Sequence, residues 1–205
     1  KPAVAVLAES AWAALGGEFG AVARKTVLLP DELFDGISGL GSPAKLGLVL
    51  DLPVEAAVQL GVASVILDRV QDAGNVGSIL RSAAAFGFRQ VIALKGTAAL
   101  WSPKVLRAGM GAHFALHLVE SVEPGALQDL GPPLLVTSSH QGELLHEASL
   151  PWPCAWVLGH EGQGVGPELM ARAALSVRIA QPGGEESLNV AAAAAICLHA
   201  SAAAR

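Results

Sequence analysis

The sequence predicts an α/β fold: a mainly parallel sheet with helices on both faces. Three observations carry that expectation. In residues 64–88 a β-branched apolar run (Val65, Ile66, Leu67, then Val70) stops at Gln71-Asp72-Ala73-Gly74-Asn75, and a helix-like pattern begins at once. The same succession of apolar strand, glycine-bearing loop and helix returns at 154–170 and again at 176–200. Hydrophobic residues make up 52% of the 205 and charged ones only 15%, so the chain has the material for a core. Strands that alternate with helices are the pattern of a parallel sheet.

Taken in order, residues 1–60 read as a strand (4–7), a helix (10–15), a glycine-rich passage, a helix at 31–34, a loop at 38–43 and a strand at 46–50. Asp51-Leu52-Pro53 then serves as a connector. From residue 61 onward strands are expected at 64–70, 90–95, 114–119, 134–138, 154–158 and 176–180. Asn75 is the expected N-cap of the helix after the first of these, and Gly87 its stop. Pro167-Glu168 opens another helix, and Ser187 is the expected cap of the last one. That alanine-rich last helix carries His199 and reads as a buried or interface helix, not a membrane span.

Charge is unevenly spread. The total is −5, which argues against a generic polyanion binder, yet residues 61–113 carry a net +4 against −3 before them and −6 after. Phosphate contacts need a local excess of this kind, not a basic whole. Cys154 and Cys197 lie in apolar runs without metal or redox spacing, so buried free thiols in a reducing cytoplasm are expected. No membrane association is expected, and the opening Lys1, with neither methionine nor signal sequence, reads as the start of a fragment. The histidines make no metal-spaced set with acids or cysteines, so no metal is expected. The four tryptophans read as packing or loop anchors, Trp101 alone standing beside basic residues, where stacking on a flipped base stays open.

The glycine loops narrow the chemistry. Gly159, Gly162, Gly164 and Gly166 follow a strand, where ligands of α/β sheets collect against backbone N–H groups. No G-x-G-x-x-G occurs there or in the turn at 72–78, and no lysine follows the last glycine. A dinucleotide-dependent oxidoreductase and a P-loop enzyme are both disfavoured.

Three groups of residues then carry a resemblance: Asn75-Val76-Gly77 with Arg81-Ser82-Ala83 and Phe86-Gly87; Gly159-His160-Glu161-Gly162-Gln163-Gly164; and Ser187-Leu188-Asn189-Val190-Ala191. In this order they resemble the three motifs of the SpoU (TrmH-like) RNA 2′-O-ribose methyltransferases, across most of residues 62–205. The resemblance implies a catalytic domain over 61–205 whose C-terminal segment forms a trefoil knot, and a homodimer with active sites near the subunit interface. Residues 1–60 resemble the later half of the L30e-like RNA substrate-binding domain that often precedes it, the earlier half being absent. S-adenosylmethionine is the implied cofactor, held through Thr137, Gly159, Glu161, Gly162, Ile179, Gln181, Ser187 and Leu188. The family's proline after the strand-end isoleucine is replaced here by Ala180, which leaves φ less restricted.

The implied substrate is a ribose 2′-OH in ribosomal or transfer RNA. Arg81 is the implied catalytic centre, with Asn75, Glu161 and Asn189 as its organisers. A guanidinium is a donor and a poor base, so Arg81 is expected to hold an RNA phosphate and stabilise the alkoxide, although a role as base stays open at this point. Arg81, Lys104 and Arg107 are the expected RNA contacts. A non-catalytic RNA-binding protein on the same fold is the alternative, and would have been signalled by decay of these motif residues.

Overall fold

The computed structural model describes every residue except 39–43, 53–55, 139–141 and 185–187. The chain divides into two compact units, Lys1–Val54 and Glu55–Arg205.

In the first unit, β1 (Val4–Ala8) leads directly into α1 (Glu9–Phe19), followed by β2 (Lys25–Leu29), α2 (Asp31–Ser38) and β3 (Leu46–Val49). β1 pairs parallel with β2 and antiparallel with β3, giving the order β2-β1-β3. Ala5, Leu7 and Ala23 form its small core. Two expectations are corrected here. The first helix runs on through Gly16 and Gly17 because the Trp12 ring lies across Gly16, where a Cβ would come within 2.5 Å of it. The glycine-rich passage expected after it contains a strand, β2. The loop expected at 38–43 lies outside the described residues except for Ser38, which ends α2.

The second unit is built on β4 (Ser64–Asp68), α3 (Ala73–Ala85), β5 (Gln90–Leu94), α4 (Pro103–Gly109), β6 (His117–Val122), β7 (Leu134–Thr137), β8 (Glu143–Leu144), β9 (Ala155–Gly159), α5 (Pro167–Ala171), β10 (Leu175–Arg178) and α6 (Val190–Ala203). Its seven strands form one sheet in the order β6-β5-β4-β9-β7-β10-β8, and every pairing is parallel. A strand covered on both faces is apolar along most of its length, and all five residues of β4 and all five of β5 are buried, the polar ones being Ser64, Asp68 and Gln90 at strand ends. Val65, Ile66 and Leu67 are fully enclosed, each worth roughly 1.5–3 kcal/mol of burial. Two clusters lie on opposite sides: Val65 and Leu67 point to one, Ile66 to the other.

α3 follows β4 after a short turn. Its Val76, Ile79, Leu80 and Ala83 make the buried stripe, and Gly77 lies so close to α4 that a Cβ would meet that of Ala108 at 2.4 Å. α3 ends where Gly87 takes φ +80° and Phe88 N–H donates to the Ala83 carbonyl at 3.0 Å, as its composition led one to expect. α6 buries Ala194, Cys197, Leu198 and Ser201, and the Trp156 indole N–H of β9 donates to Ser201 Oγ at 2.9 Å. Burial raises the Cys154 thiol to about 11 and the Cys197 thiol to about 12, so neither is a nucleophile.

The strand expected at 114–119 begins later, at His117. Residues 112–115 instead make a 3₁₀ turn, because Gly111 adopts φ +85° and the buried His113 ring, through Nε2, reaches the Leu100 carbonyl at 2.8 Å. Trp101 rests half-buried against that ring, centroids 5.2 Å apart, a contact that anchors the segment before α4.

Candidate active site

Three of the parallel strands bring their carboxyl ends, and the last helix its N-terminus, to one crevice. Thr137 closes β7, Gly159 closes β9, Ile179 follows β10, and Leu188 and Asn189 lead into α6; all line a cavity of about 560 Å³ together with Glu161, Gly162 and Gln181. Ligands of open parallel sheets bind in this position because the loops there aim backbone groups inward. Ser187 lies outside the described residues.

At the rim of the crevice three loops are joined by side chains. Glu161 accepts from the backbone N–H groups of Gln71 (3.3 Å) and Asp72 (3.1 Å), and from Asn75 Nδ2 at 3.2 Å. Asn75 Oδ1 in turn accepts from Asn189 Nδ2 at 3.0 Å. Asn189 Oδ1 accepts from the N–H groups of Ala191 (2.9 Å) and Ala192 (3.3 Å). Burial alone would raise the Glu161 carboxyl, but its own N–H, the Asn75 amide and the two loop amides outweigh that and hold it below the usual glutamate value. It is an ionised organiser of the loop.

These bonds correct two cap assignments. The N-cap of α3 is Asp72, whose carboxylate accepts from Asn75 N–H at 2.8 Å; Asn75 sits inside the first turn, which frees its side chain for the crevice. The N-cap of α6 is Asn189 and not Ser187, because Asn189 already occupies both exposed amides of the first turn.

The three RNA expectations are placed differently. Arg81 is exposed on α3, two turns beyond Asn75, and is not among the residues that line the crevice. Lys104 and Arg107 are exposed one turn apart on α4. None of the three side chains makes a hydrogen bond or ion pair among the described residues.

Sequence reasoning missed Asp68. Buried at the end of β4, it accepts from the Gly166 N–H at 2.6 Å and thereby holds the far end of the Gly159–Gly166 loop. A carboxylate closing an otherwise apolar strand is the signal that marks such a residue, since a buried charge needs a partner.

With this geometry in view, comparison with known proteins decides the lineage. The pattern of the SpoU rRNA Methylase family matches residues 63–199. The chain belongs to that family. Membership makes this SpoU protein an S-adenosylmethionine-dependent RNA methyltransferase. It is 32% identical over 177 residues to the Bacillus subtilis 23S rRNA (guanosine(2553)-2′-O)-methyltransferase RlmP, covering 84% of this chain and 70% of that one. It is 50% identical over 68 residues to mouse mitochondrial rRNA methyltransferase 3, covering 33% of this chain but 16% of that protein's length. Among solved structures, one from Porphyromonas gingivalis assigned to the TrmH family of RNA methyltransferases superposes with a TM-score of 0.83 at 33% identity, over 98% of this chain and 82% of its own. The SpoU methyltransferase AviRb of Streptomyces viridochromogenes, solved with S-adenosylmethionine, shares the fold at a TM-score of 0.85 and 24% identity, over 99% and 83%.

The crevice fits that cofactor. Its volume lies in the range of small-molecule sites, its walls mix backbone groups with Ile179, Leu188 and Val190, and Gln181 Oε1 is buried there without a hydrogen-bond partner among the described residues. An adenosine offers a donor for such an acceptor. Gly159, Ile179 and Gln181 would be among the residues that hold it, with Glu161 and Gly162 from the neighbouring loop.

Proposed function

We propose that this SpoU protein transfers a methyl group from S-adenosylmethionine to a ribose 2′-OH of structured RNA, ribosomal or transfer. The observation that carries the reading is the junction of Glu161, Asn75 and Asn189, which ties the three motif loops together at the rim of the crevice. When bound, the cofactor supplies an activated methyl group on a sulfonium whose leaving group is neutral. What remains for the protein is to place a poor nucleophile in line and to stabilise its charge as the proton leaves.

Arg81 is the residue suited to that task. Exposed and without an ion pair among the described residues, it offers a full charge and a planar set of donors to an RNA phosphate and to the developing alkoxide. A guanidinium does not accept the 2′-OH proton, so the neighbouring phosphate or solvent receives it. Lys104 and Arg107 contact the RNA backbone on the same unit. Asn75, Glu161 and Asn189 spend their polar atoms on one another and on backbone amides, which makes them organisers.

Arg81 does not line the crevice of its own chain. A homodimer with its active sites near the subunit interface would bring the Arg81 of one protomer to the crevice of the other. The reading also includes a trefoil knot in the C-terminal segment and a partial L30e-like substrate-binding role for residues 1–60.

Calorimetric titration with S-adenosylhomocysteine, followed by tritiated methyl transfer to bulk transfer RNA and to ribosomal RNA, tests the proposal. Alkali-resistant labelled dinucleotides in one RNA pool are the expected product. Arg81→Ala should abolish transfer while S-adenosylhomocysteine binding stays within about twofold. No binding of S-adenosylhomocysteine would favour a non-catalytic RNA-binding protein, whereas binding without transfer to either pool would point to a missing RNA context. Methylated bases in place of methylated riboses would overturn the 2′-O assignment.

A further inference from the structure

Immediately after β4 the backbone does something costly. Arg69 takes φ +61°, a left-handed conformation that suits glycine, although nothing in its own turn requires an arginine. What the side chain does there is specific. Its Nε donates to Asp68 Oδ1 at 2.8 Å and its terminal NH₂ group to Asp68 Oδ2 at 3.1 Å, a two-pronged grip on its own sequence neighbour. The remaining nitrogen donates to Gln163 Oε1 at 3.0 Å, at the tip of the Gly159–Gly166 loop.

Asp68 completes the device from the other side. The same Oδ2 accepts from Gly166 N–H at 2.6 Å, so one carboxylate is shared between Arg69 and the end of the loop. The fit is tight: a Cβ on Gly166 would stand 3.1 Å from Asp68 Oδ2 and 3.3 Å from the Arg69 guanidinium. The Arg69 backbone is held as well, its N–H donating to Thr97 Oγ1 at 3.1 Å while that hydroxyl donates to the Leu67 carbonyl at 2.9 Å. The loop so held is the one that supplies Gly159, Glu161 and Gly162 to the crevice. Glu161 anchors its near side to the turn at Gln71 and Asp72; Asp68 and Arg69 anchor its tip and far side to the residues just before that turn.

We infer that Arg69 and Gln163, bearing on the buried Asp68, are positioning residues that clasp the Gly159–Gly166 loop in its cofactor-holding shape. The inference rests on the crevice being the S-adenosylmethionine site. The clasp acts on cofactor affinity and leaves RNA contacts alone, because Arg69 points to the loop and not to the exposed faces of α3 and α4.

Arg69→Gly separates this role from a merely structural one. Glycine relaxes the left-handed backbone and so offsets part of the cost of leaving Asp68 with the Gly166 N–H alone, and the melting temperature of the variant should fall by no more than a few degrees. With the clasp gone, the Kd for S-adenosylhomocysteine and the KM for S-adenosylmethionine should each rise about tenfold, with kcat at saturating cofactor and RNA affinity unchanged. Gln163→Ala should reproduce part of the loss, the double variant adding little beyond Arg69→Gly, and Arg69→Lys should restore some of it. Wild-type cofactor affinity in Arg69→Gly would overturn the clasp, as would a loss that merely tracks a lower melting temperature. Hydrogen exchange gives a reading that needs no ligand: the amides of Gly162, Gly164 and Gly166 should exchange about tenfold faster in Arg69→Gly, with Phe88 unaffected. Should the wild-type protein fail to bind S-adenosylhomocysteine, the cofactor reading falls, and the exchange rates alone decide the clasp: faster supports it, unchanged overturns it.

Discussion

Asn75 has one donating and one accepting end to its side chain, and both are committed, the donor to Glu161 and the acceptor to Asn189. That fixes the orientation of its amide, and an aspartate in its place would set two carboxylates against each other. The charge on Glu161 is what the arrangement needs, and it has a pH signature. Glu161 and Asp68 are both held below their ordinary values, 4.5 and 3.8. Burial pushes each upward; for Asp68 the Arg69 guanidinium, the Gly166 N–H and the charges of Arg69 and His160 outweigh it. A depressed carboxyl contributes stability that is complete above its unfolded value and lost as pH falls through the lower folded one. The melting temperature, followed from about pH 6 to about pH 2, should therefore drop on the acid side, and Glu161→Gln should flatten that drop. An unaltered acid limb in the variant would detach Glu161 from the stability of the loop.

At the scale of elements, the contact between α3 and α4 depends on one missing methyl group. Alanine at position 77 would gain about 1 kcal/mol in helix propensity, but its Cβ would stand 2.4 Å from that of Ala108 and 2.7 Å from backbone atoms, which cannot swing aside. Overpacking wins. Gly77→Ala should destabilise by about 2 kcal/mol and lower the melting temperature by roughly 4–8 °C. A melting temperature at or above wild type would show that α4 is free to move outward. Elements of this kind were legible where a residue type has one strong use. The buried strands announce themselves in Val65-Ile66-Leu67 and Val91-Ile92, and Gly87 could serve little but a helix stop. They were illegible where two residues compete for one use or where a partner is remote. Asp72 and Asn75 are both good caps, and only the fold shows that Asp72 takes the post. β8 has two residues and no pattern to read. β2 was overlooked because α1 continues through Gly16 and Gly17, which moved the expected break. Asp68 meets Gly166 98 positions away, a separation that no local motif reports.

For the whole molecule, charge sets how it meets a polyanion. The net charge is −5, and the excess of +4 is confined to residues 61–113, where Arg81, Lys104 and Arg107 stand exposed. A protein that neutralises three phosphates should show a modest salt dependence, a slope of log K against log salt of about −2 to −3. Filter binding of a structured RNA between about 50 and 200 mM salt measures it, and the triple variant with alanine at 81, 104 and 107 should bring the slope close to zero. A slope that survives in the triple variant would move the RNA contacts elsewhere on the surface.

The all-parallel sheet has a consequence for how this protein is made. No strand in it can fold back on its immediate successor as a hairpin does, and each must wait for a crossover. β4 receives β5 after about twenty-five residues of further synthesis, but its other edge waits about ninety for β9. Throughout that interval the nascent chain leaving the ribosome carries a half-built sheet with an apolar open edge at its centre. Slower elongation or loss of chaperones that shield that edge until β9 arrives should therefore lower the soluble yield of the protein more than its final stability would suggest.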